Sequence, residues 1–308
     1  MRKTKKMTWA AVAAFAGLAA AAAQEIRPSR WGADDTLGAV NLLSREAVVR
    51  AAELVTTGKT YSLGVETGPA TPAFGTRWSR ITVIDLGSNG ANKVTGHDDL
   101  LTTWLGIGSQ LDGLGHVGID GVHYNGVPRS EFYNTAGITR FGMEDLPPIV
   151  TRGVLLDMAR HAGKERLEPG TALNSDEIAA AARQQGVMIG TGDVVLLHTG
   201  WLGVADEDPQ RFLSGAPGIG VDGARYLVDR GVVAVGADTW GVEVAPEEVA
   251  GQFIPVHQLL LAENGVYILE NMDTRELAAD RAYEFMFVLG QPKFTGAVQT
   301  VINPVAIR

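Results

Sequence analysis

The sequence predicts an α/β protein of one domain, built around a mixed sheet. Apolar runs of strand length alternate with helical patterns through the second half of the chain. The first half carries extended runs joined by turn-rich segments, with little helix. With 45% hydrophobic residues and no cysteine, stability must come from a large core rather than from disulfides. No internal repeat, charge block or interior low-complexity linker divides the chain, so residues 24–308 read as a single domain.

Residues 24–44 are rich in turn formers, among them Arg30-Trp31-Gly32-Ala33-Asp34-Asp35. Ser44 then stands as an N-cap for a helix over 46–56, which Gly58 ends. Strand-like runs follow at 60–63, 81–86, 153–158, 194–199, 232–236, 266–269 and 284–289, and an extended stretch at 297–302 can close a sheet. Between them lie three helical patterns. One covers 176–185, begun by Ser175 and closed by Gly186; a second covers 221–229, closed by Gly231; the third covers 255–264.

The first 23 residues read as an export leader. Arg2, Lys3, Lys5 and Lys6 form a basic start, residues 7–20 a short apolar run, and Ala21-Ala22-Ala23 a small-residue cleavage site before Gln24. A membrane anchor is the competing reading, but the run is short for a span and made of alanine rather than leucine. The expected product is periplasmic or secreted, without stable membrane association. The leader holds four of the 26 basic residues and no acid, leaving 22 bases against 35 acids. So acidic a body argues against nucleic acid and anionic membrane as partners and leaves a small-molecule substrate.

Chemistry concentrates in Gln110-Leu111-Asp112-Gly113-Leu114-Gly115-His116. Two residues apart on an extended segment, Gln110 and Asp112 project to the same side and can offer an amide oxygen and a carboxylate to one ion. His116 sits among Gly113, Gly115 and Gly118, where backbone can bend close to a ligand. Alone, the same pattern equally describes a glycine-rich turn whose Asp caps backbone N–H groups. Far downstream, His257 begins a helix-like run and Glu270 ends the apolar Val266-Tyr267-Ile268-Leu269, which would place both at one end of a helix–strand pair. A buried carboxylate there needs a partner, and a metal ion is a suitable one.

The other histidines divide. His97 and His123 lie near the main motif and can support the ligands; His161 lies in a polar loop; His198 ends a strand, where α/β sites collect. Gly218-x-Gly220-x-x-Gly223 matches a dinucleotide fingerprint literally, but no hydrophobic strand precedes it. The chain has no Gly-x-Ser-x-Gly and no cysteine, so activated water is the natural nucleophile.

These landmarks resemble the metal-dependent cyclase family, which includes bacterial kynurenine formamidases, isatin hydrolases and a dienelactone hydrolase. They run in order from Arg30-Trp31-Gly32-Ala33-Asp34-Asp35-Thr36-Leu37-Gly38 with Asn41-Leu42-Leu43, through Ser109 to His116 with Tyr124-Asn125-Gly126. They continue through Gly192 to Trp201 and Gly236-Ala237-Asp238-Thr239 to His257 and Glu270-Asn271. Laid on the family motif His-x-Gly-Thr-His-x-Asp-x-Pro-x-His, its Asp falls on Asp112 and its last His on His116. The two earlier histidines fall on Gly106 and Gln110, and the Pro on Leu114. The chain thus resembles a Gln-x-Asp subgroup.

The resemblance implies a swivelling β/β/α fold assembled as a homodimer or homotetramer. It also implies one Zn²⁺ or Mn²⁺ per chain, held by Asp112, His257 and Glu270 with Gln110 as a fourth ligand. His116 would be the general acid–base, and the reaction would be hydrolysis of an aryl formamide-like amide, a lactone or a cyclic amide by metal-activated water. Trp104, Trp201, Trp240 and Phe74 are candidate pocket walls, with His123, Tyr124 and His198 beside them; core packing accounts equally well for the four aromatic walls, and for His198. Two rival readings are a periplasmic small-molecule binding protein without turnover, and a metal-dependent lyase or dehydratase. Mass spectrometry of protein taken from its native envelope should show a mature N-terminus near Gln24; recovery of the intact Met1 form embedded in membrane would favour the anchor.

Overall fold

The structure, a computed structural model, describes residues 26–308, so the leader read over 1–23 lies outside the described residues. Its frame is a nine-stranded mixed sheet. In chain order the strands are β1 (Thr60–Ser62), β2 (Gln110–Asp112), β3 (Ile149–Asp157), β4 (Val194–His198), β5 (Ala234–Ala237), β6 (Tyr267–Glu270), β7 (Glu284–Leu289), β8 (Gln299–Val301) and β9 (Val305–Ile307). Their spatial order is β1-β9-β7-β3-β4-β5-β6-β2-β8. The four central strands, β3 to β6, run parallel. Every other pairing within this sheet is antiparallel.

The central strands are apolar because both of their faces are covered. Val194 to His198, Ala234 to Ala237 and Tyr267 to Glu270 are buried throughout. Helices connect them: Ser175–Gln185 between β3 and β4, Val221–Asp229 between β4 and β5, and a short helix Pro255–His257 between β5 and β6. Ile178, Ala181 and Ala182 of the first, and Gly223, Ala224 and Leu227 of the second, form the buried stripes. The first helix is capped by Asn174, whose backbone N–H donates to Glu177 Oε2 at 3.1 Å, so its start lies one residue before the expected Ser175. The Ser44 cap is present, accepting from the Ala47 N–H at 3.1 Å, but its helix stops at Ala52 rather than 56.

Three further departures have physical causes. Strand β3 begins four residues before Gly153, since Arg152, polar in sequence, is paired at 2.7 Å with Asp193 and at 2.9 Å with Glu284. The run at 81–86 is not in the main sheet but in a long hairpin, Ser79–Asn89 with Val94–Thr103. The hairpin's second strand was hidden by its polar Thr95-Gly96-His97-Asp98-Asp99, which is tolerated because the arm is exposed on both faces. The helix expected over 255–264 is one turn, Pro255–His257, widening into a π-helix, Gln258–Glu263.

The Gly218-x-Gly220-x-x-Gly223 glycines serve close packing within the chain. A Cβ on Gly220 would sit 2.2 Å from Asn174 Oδ1, and one on Gly223 2.2 Å from the Leu173 carbonyl. Among the described residues no helix is long and apolar enough to cross a membrane.

Gly153 shows how tightly the frame is packed. It pairs with Phe285 across β3 and β7, and a Cβ there would meet the Phe285 ring at 2.1 Å. Gly153→Val should therefore destabilise the fold by about 1–3 kcal/mol or more, the range for overpacked cores. A urea midpoint lowered at constant slope is the expected observation, and an unchanged midpoint would contradict this packing.

Candidate metal centre

Strand β2 is only three residues long, yet it sets the site. It lies between β6 and β8, with Asp112 opposite Ile268 and Gln299, and Gln110 opposite Glu270 and Val301. Residues directly opposite in antiparallel pairs share a face, and so do residues two apart. Gln110, Asp112, Glu270 and Gln299 are thereby delivered to one face of the sheet from three strands. The fifth member, His257, arrives from the turn of helix between β5 and β6.

The side chains converge in a buried cluster. Asp112 is fully buried, and Gln110, His257 and Glu270 are each at most 5% exposed. His257 Nε2 lies 3.2 Å from Glu270 Oε1 and 3.7 Å from Asp112 Oδ2. One ligand atom from each of Asp112, His257 and Glu270 lies within 4.8 Å of the other two. Asp112 Oδ1 accepts from Gln299 Nε2 at 2.7 Å and from Gln110 Nε2 at 3.0 Å, whereas Asp112 Oδ2 is buried with no hydrogen-bond partner. An orphaned carboxylate oxygen facing an imidazole nitrogen and a second carboxylate is the donor set of a divalent cation. Gln110 stands beside this trio with its amide nitrogen turned to Asp112.

Electrostatics agree with that donor set. Burial and the facing Asp112 carboxylate push Glu270 up from the usual carboxylate range, against the opposing effect of His257. Burial alone would push the His257 imidazolium down, but its hydrogen bonds to Glu243 and Glu270 outweigh that and raise it. His257 Nδ1 bonds Glu243 Oε1, and the two Glu243 oxygens also accept from the Val256 and His257 backbone N–H groups at 3.2 Å. A carboxylate on Nδ1 turns Nε2 toward Asp112 and Glu270.

Left-handed backbone flanks these groups. Val242 (φ 50°) precedes Glu243, Ile254 (φ 46°) comes three residues before His257, and Asn271 (φ 53°) follows Glu270. Two of the three are β-branched, for which this region costs of order 1–3 kcal/mol, and such residues collect at functional sites.

A cavity of about 700 Å³ opens beside the cluster. His116 and Gln299 line it, 3.3 Å apart at their Nε2 atoms, together with Trp78, Trp104, His123 and Phe132. The His116 ring stands 6.5 Å from that of His257, centroid to centroid, outside the trio of ligand atoms. Burial pushes its pKa down, partly offset by Asp112.

Of the residues read from sequence as pocket candidates, the structure gathers Trp104 and His123 here. The others lie elsewhere. Trp201 is a core residue, fully buried with Nε1 donating to the Phe212 carbonyl at 3.1 Å. Trp240 stacks on Phe74 at 5.3 Å, against the same small cluster as Trp201. The Tyr124 hydroxyl donates to Asp35 at 2.7 Å, tying the N-terminal loop down. His198 Nδ1 pairs with Thr274 Oγ1 at 2.8 Å on a separate cavity, because β4 ends away from β2. His97 is exposed on the hairpin. Sequence reasoning missed Glu243, Gln299 and Trp78. Glu243 carried a signal, as a lone acid in the apolar run Val242-Glu243-Val244-Ala245.

The "Putative cyclase" family model matches residues 61–244. A comparison with curated protein sequences finds no significant match. Among solved structures, one described as a novel cyclase is 30% identical, with a TM-score of 0.84 over 92% of this chain and 100% of that one. Isatin hydrolase A from Ralstonia solanacearum is 17% identical with a TM-score of 0.64, covering 86% of this chain and 98% of its own. A predicted metal-dependent hydrolase from Bacillus stearothermophilus is 20% identical with a TM-score of 0.54, covering 82% and 98%. These last two share the fold, a mixed-sheet α/β architecture. By the family match and the 30% relative together, the chain belongs to the cyclase family.

Proposed function

We propose that this protein is a metal-dependent hydrolase that opens an amide, lactone or cyclic amide bond in an aromatic small molecule. One observation carries the reading: the unpartnered Asp112 Oδ2 converges with His257 and Glu270 in a buried cluster, and Gln299, which bonds Asp112, lines the adjoining cavity with His116. Isatin hydrolases and predicted metal-dependent hydrolases share the fold, which supports the same class. Asp112, His257 and Glu270 would hold the ion, with Gln110 the fourth candidate. Two carboxylates and one imidazole suit Zn²⁺ or Mn²⁺. Such an ion supplies Lewis acidity, lowering the pKa of water towards neutrality and polarising a carbonyl.

The remaining work falls to the chain. With an ion in place, Glu243 would keep the one remaining His257 proton at Nδ1 and leave the Nε2 lone pair to the ion. Gln299 donates one amide hydrogen to Asp112 Oδ1 and directs its nitrogen at His116 Nε2, which favours the tautomer with Nε2 unprotonated. Because burial disfavours the imidazolium, His116 stays neutral near pH 7 and is able to take a proton from water and return it to the leaving group. Trp78, Trp104 and Phe132 offer apolar faces for a ring and exclude water.

Elemental analysis should find about one divalent ion per chain, lost on Asp112→Ala, while Glu243→Gln weakens affinity roughly 10- to 100-fold. Two tightly held ions would require ligands beyond this trio. His116→Ala should keep the ion while kcat on an aryl formamide, lactone or isatin-like lactam falls by roughly 10²–10⁴. Loss of the ion together with activity would make His116 a ligand instead. Loaded protein inert on the whole panel yet binding its members would favour the non-catalytic binding protein, and products lacking solvent oxygen would favour the lyase.

A further inference from the structure

Arg77 lies at the base of the exposed hairpin, two residues before its first strand. Its guanidinium is half-buried and turned inward, with Nη1 donating to the Gly106 carbonyl at 2.6 Å. Gly106 has no side chain, and that space is used. A Cβ there would lie 2.8 Å from Gln299 Oε1 and 3.0 Å from Arg77 Nη1, so the absence of one lets the guanidinium and the Gln299 amide close on the same spot. Both Gly106 and Gln299 line the cavity that contains His116.

Arg77 forms no ion pair among the described residues; the arginines that do, such as Arg152, Arg160 and Arg275, lie elsewhere. A guanidinium has five N–H donors in a fixed fork, and the Gly106 carbonyl takes one. Arg129, which lines the cavity itself, is engaged over the Tyr133 ring at 4.8 Å.

We infer that Arg77 is a substrate-binding residue that takes a carboxylate on an aromatic ligand, with Trp78 and Trp104 against the ring. The inference deepens the proposed hydrolysis, since opening a lactone or a cyclic amide leaves a carboxylate on the ring-bearing product. The planar fork matches a carboxylate by two parallel hydrogen bonds, and the partly dry wall strengthens them. The neutral amide of the same ring offers no such charge.

Benzoate and benzamide titrated into metal-loaded protein, followed by tryptophan fluorescence, test this without any turnover. Benzoate should bind more tightly than benzamide. Arg77→Gln should weaken benzoate roughly 10- to 100-fold, the value of hydrogen bonds to a charged group, with benzamide affinity and metal content unchanged. Arg77→Lys, which keeps the charge and a donor for Gly106, should restore part of the loss and guards against a misfolded glutamine variant. Equal loss of both ligands would make Arg77 a structural support and overturn the inference. So would benzoate binding that ignores Arg77 and falls with Arg129→Gln, or binding that disappears only when the metal is removed. Because the readout is binding, failure of hydrolysis on every substrate leaves the result interpretable.

Discussion

Three buried acids, Asp112, Glu243 and Glu270, meet around the single imidazole of His257, and much of the surrounding architecture answers to that one concentration of charge. Removing a carboxylate from water costs several kcal/mol, so each must be repaid by a precisely placed donor or by a cation. Glu243 receives two backbone N–H groups and the imidazole; Asp112 receives two amides on one oxygen and nothing on the other. The asymmetry of Asp112 is what separates a ligand site from a self-satisfied polar cluster.

That cluster depends on register. Gln110, Asp112, Glu270 and Gln299 share a face only because β2 pairs with β6 on one side and β8 on the other with these residues opposed. A slip of one residue in β2 would turn Gln110 and Asp112 to the opposite face and bring Leu111 into their place. Leu111 is itself fully buried, so the other face enforces the same register through the core. The left-handed Val242 and Ile254 show that the chain accepts local strain near Glu243 and His257, over-determined by the packing around them.

The hairpin joins this site to the outer surface. Its tip is solvated on both faces, but its base supplies Trp78, Thr102, Thr103 and Trp104 to the cavity wall and carries Arg77 inward. Variation in the arm can therefore alter what the cavity accepts without touching the cluster that Asp112, His257 and Glu270 form on the rigid sheet.

Much of the frame was legible from residues alone. Long apolar runs such as 194–199 and 266–269 had to be buried strands, and Gly186 and Gly231 had to end helices, because period and turn chemistry leave few alternatives. The pairing of Gln110 with Asp112 on one side followed from the two-residue repeat of a strand. What the sequence could not specify was anything that depends on which strands become neighbours. Gln299 reaches Asp112 across 187 positions, and Glu243 reaches His257 across a left-handed bend that no propensity predicts. Trp201 and Trp104 look alike in a sequence, yet one is sealed in the core and the other stands half-exposed at the cavity. Local rules determine the shape of each segment; the site exists only where the sheet order superimposes them, and that order is settled by packing the whole core at once.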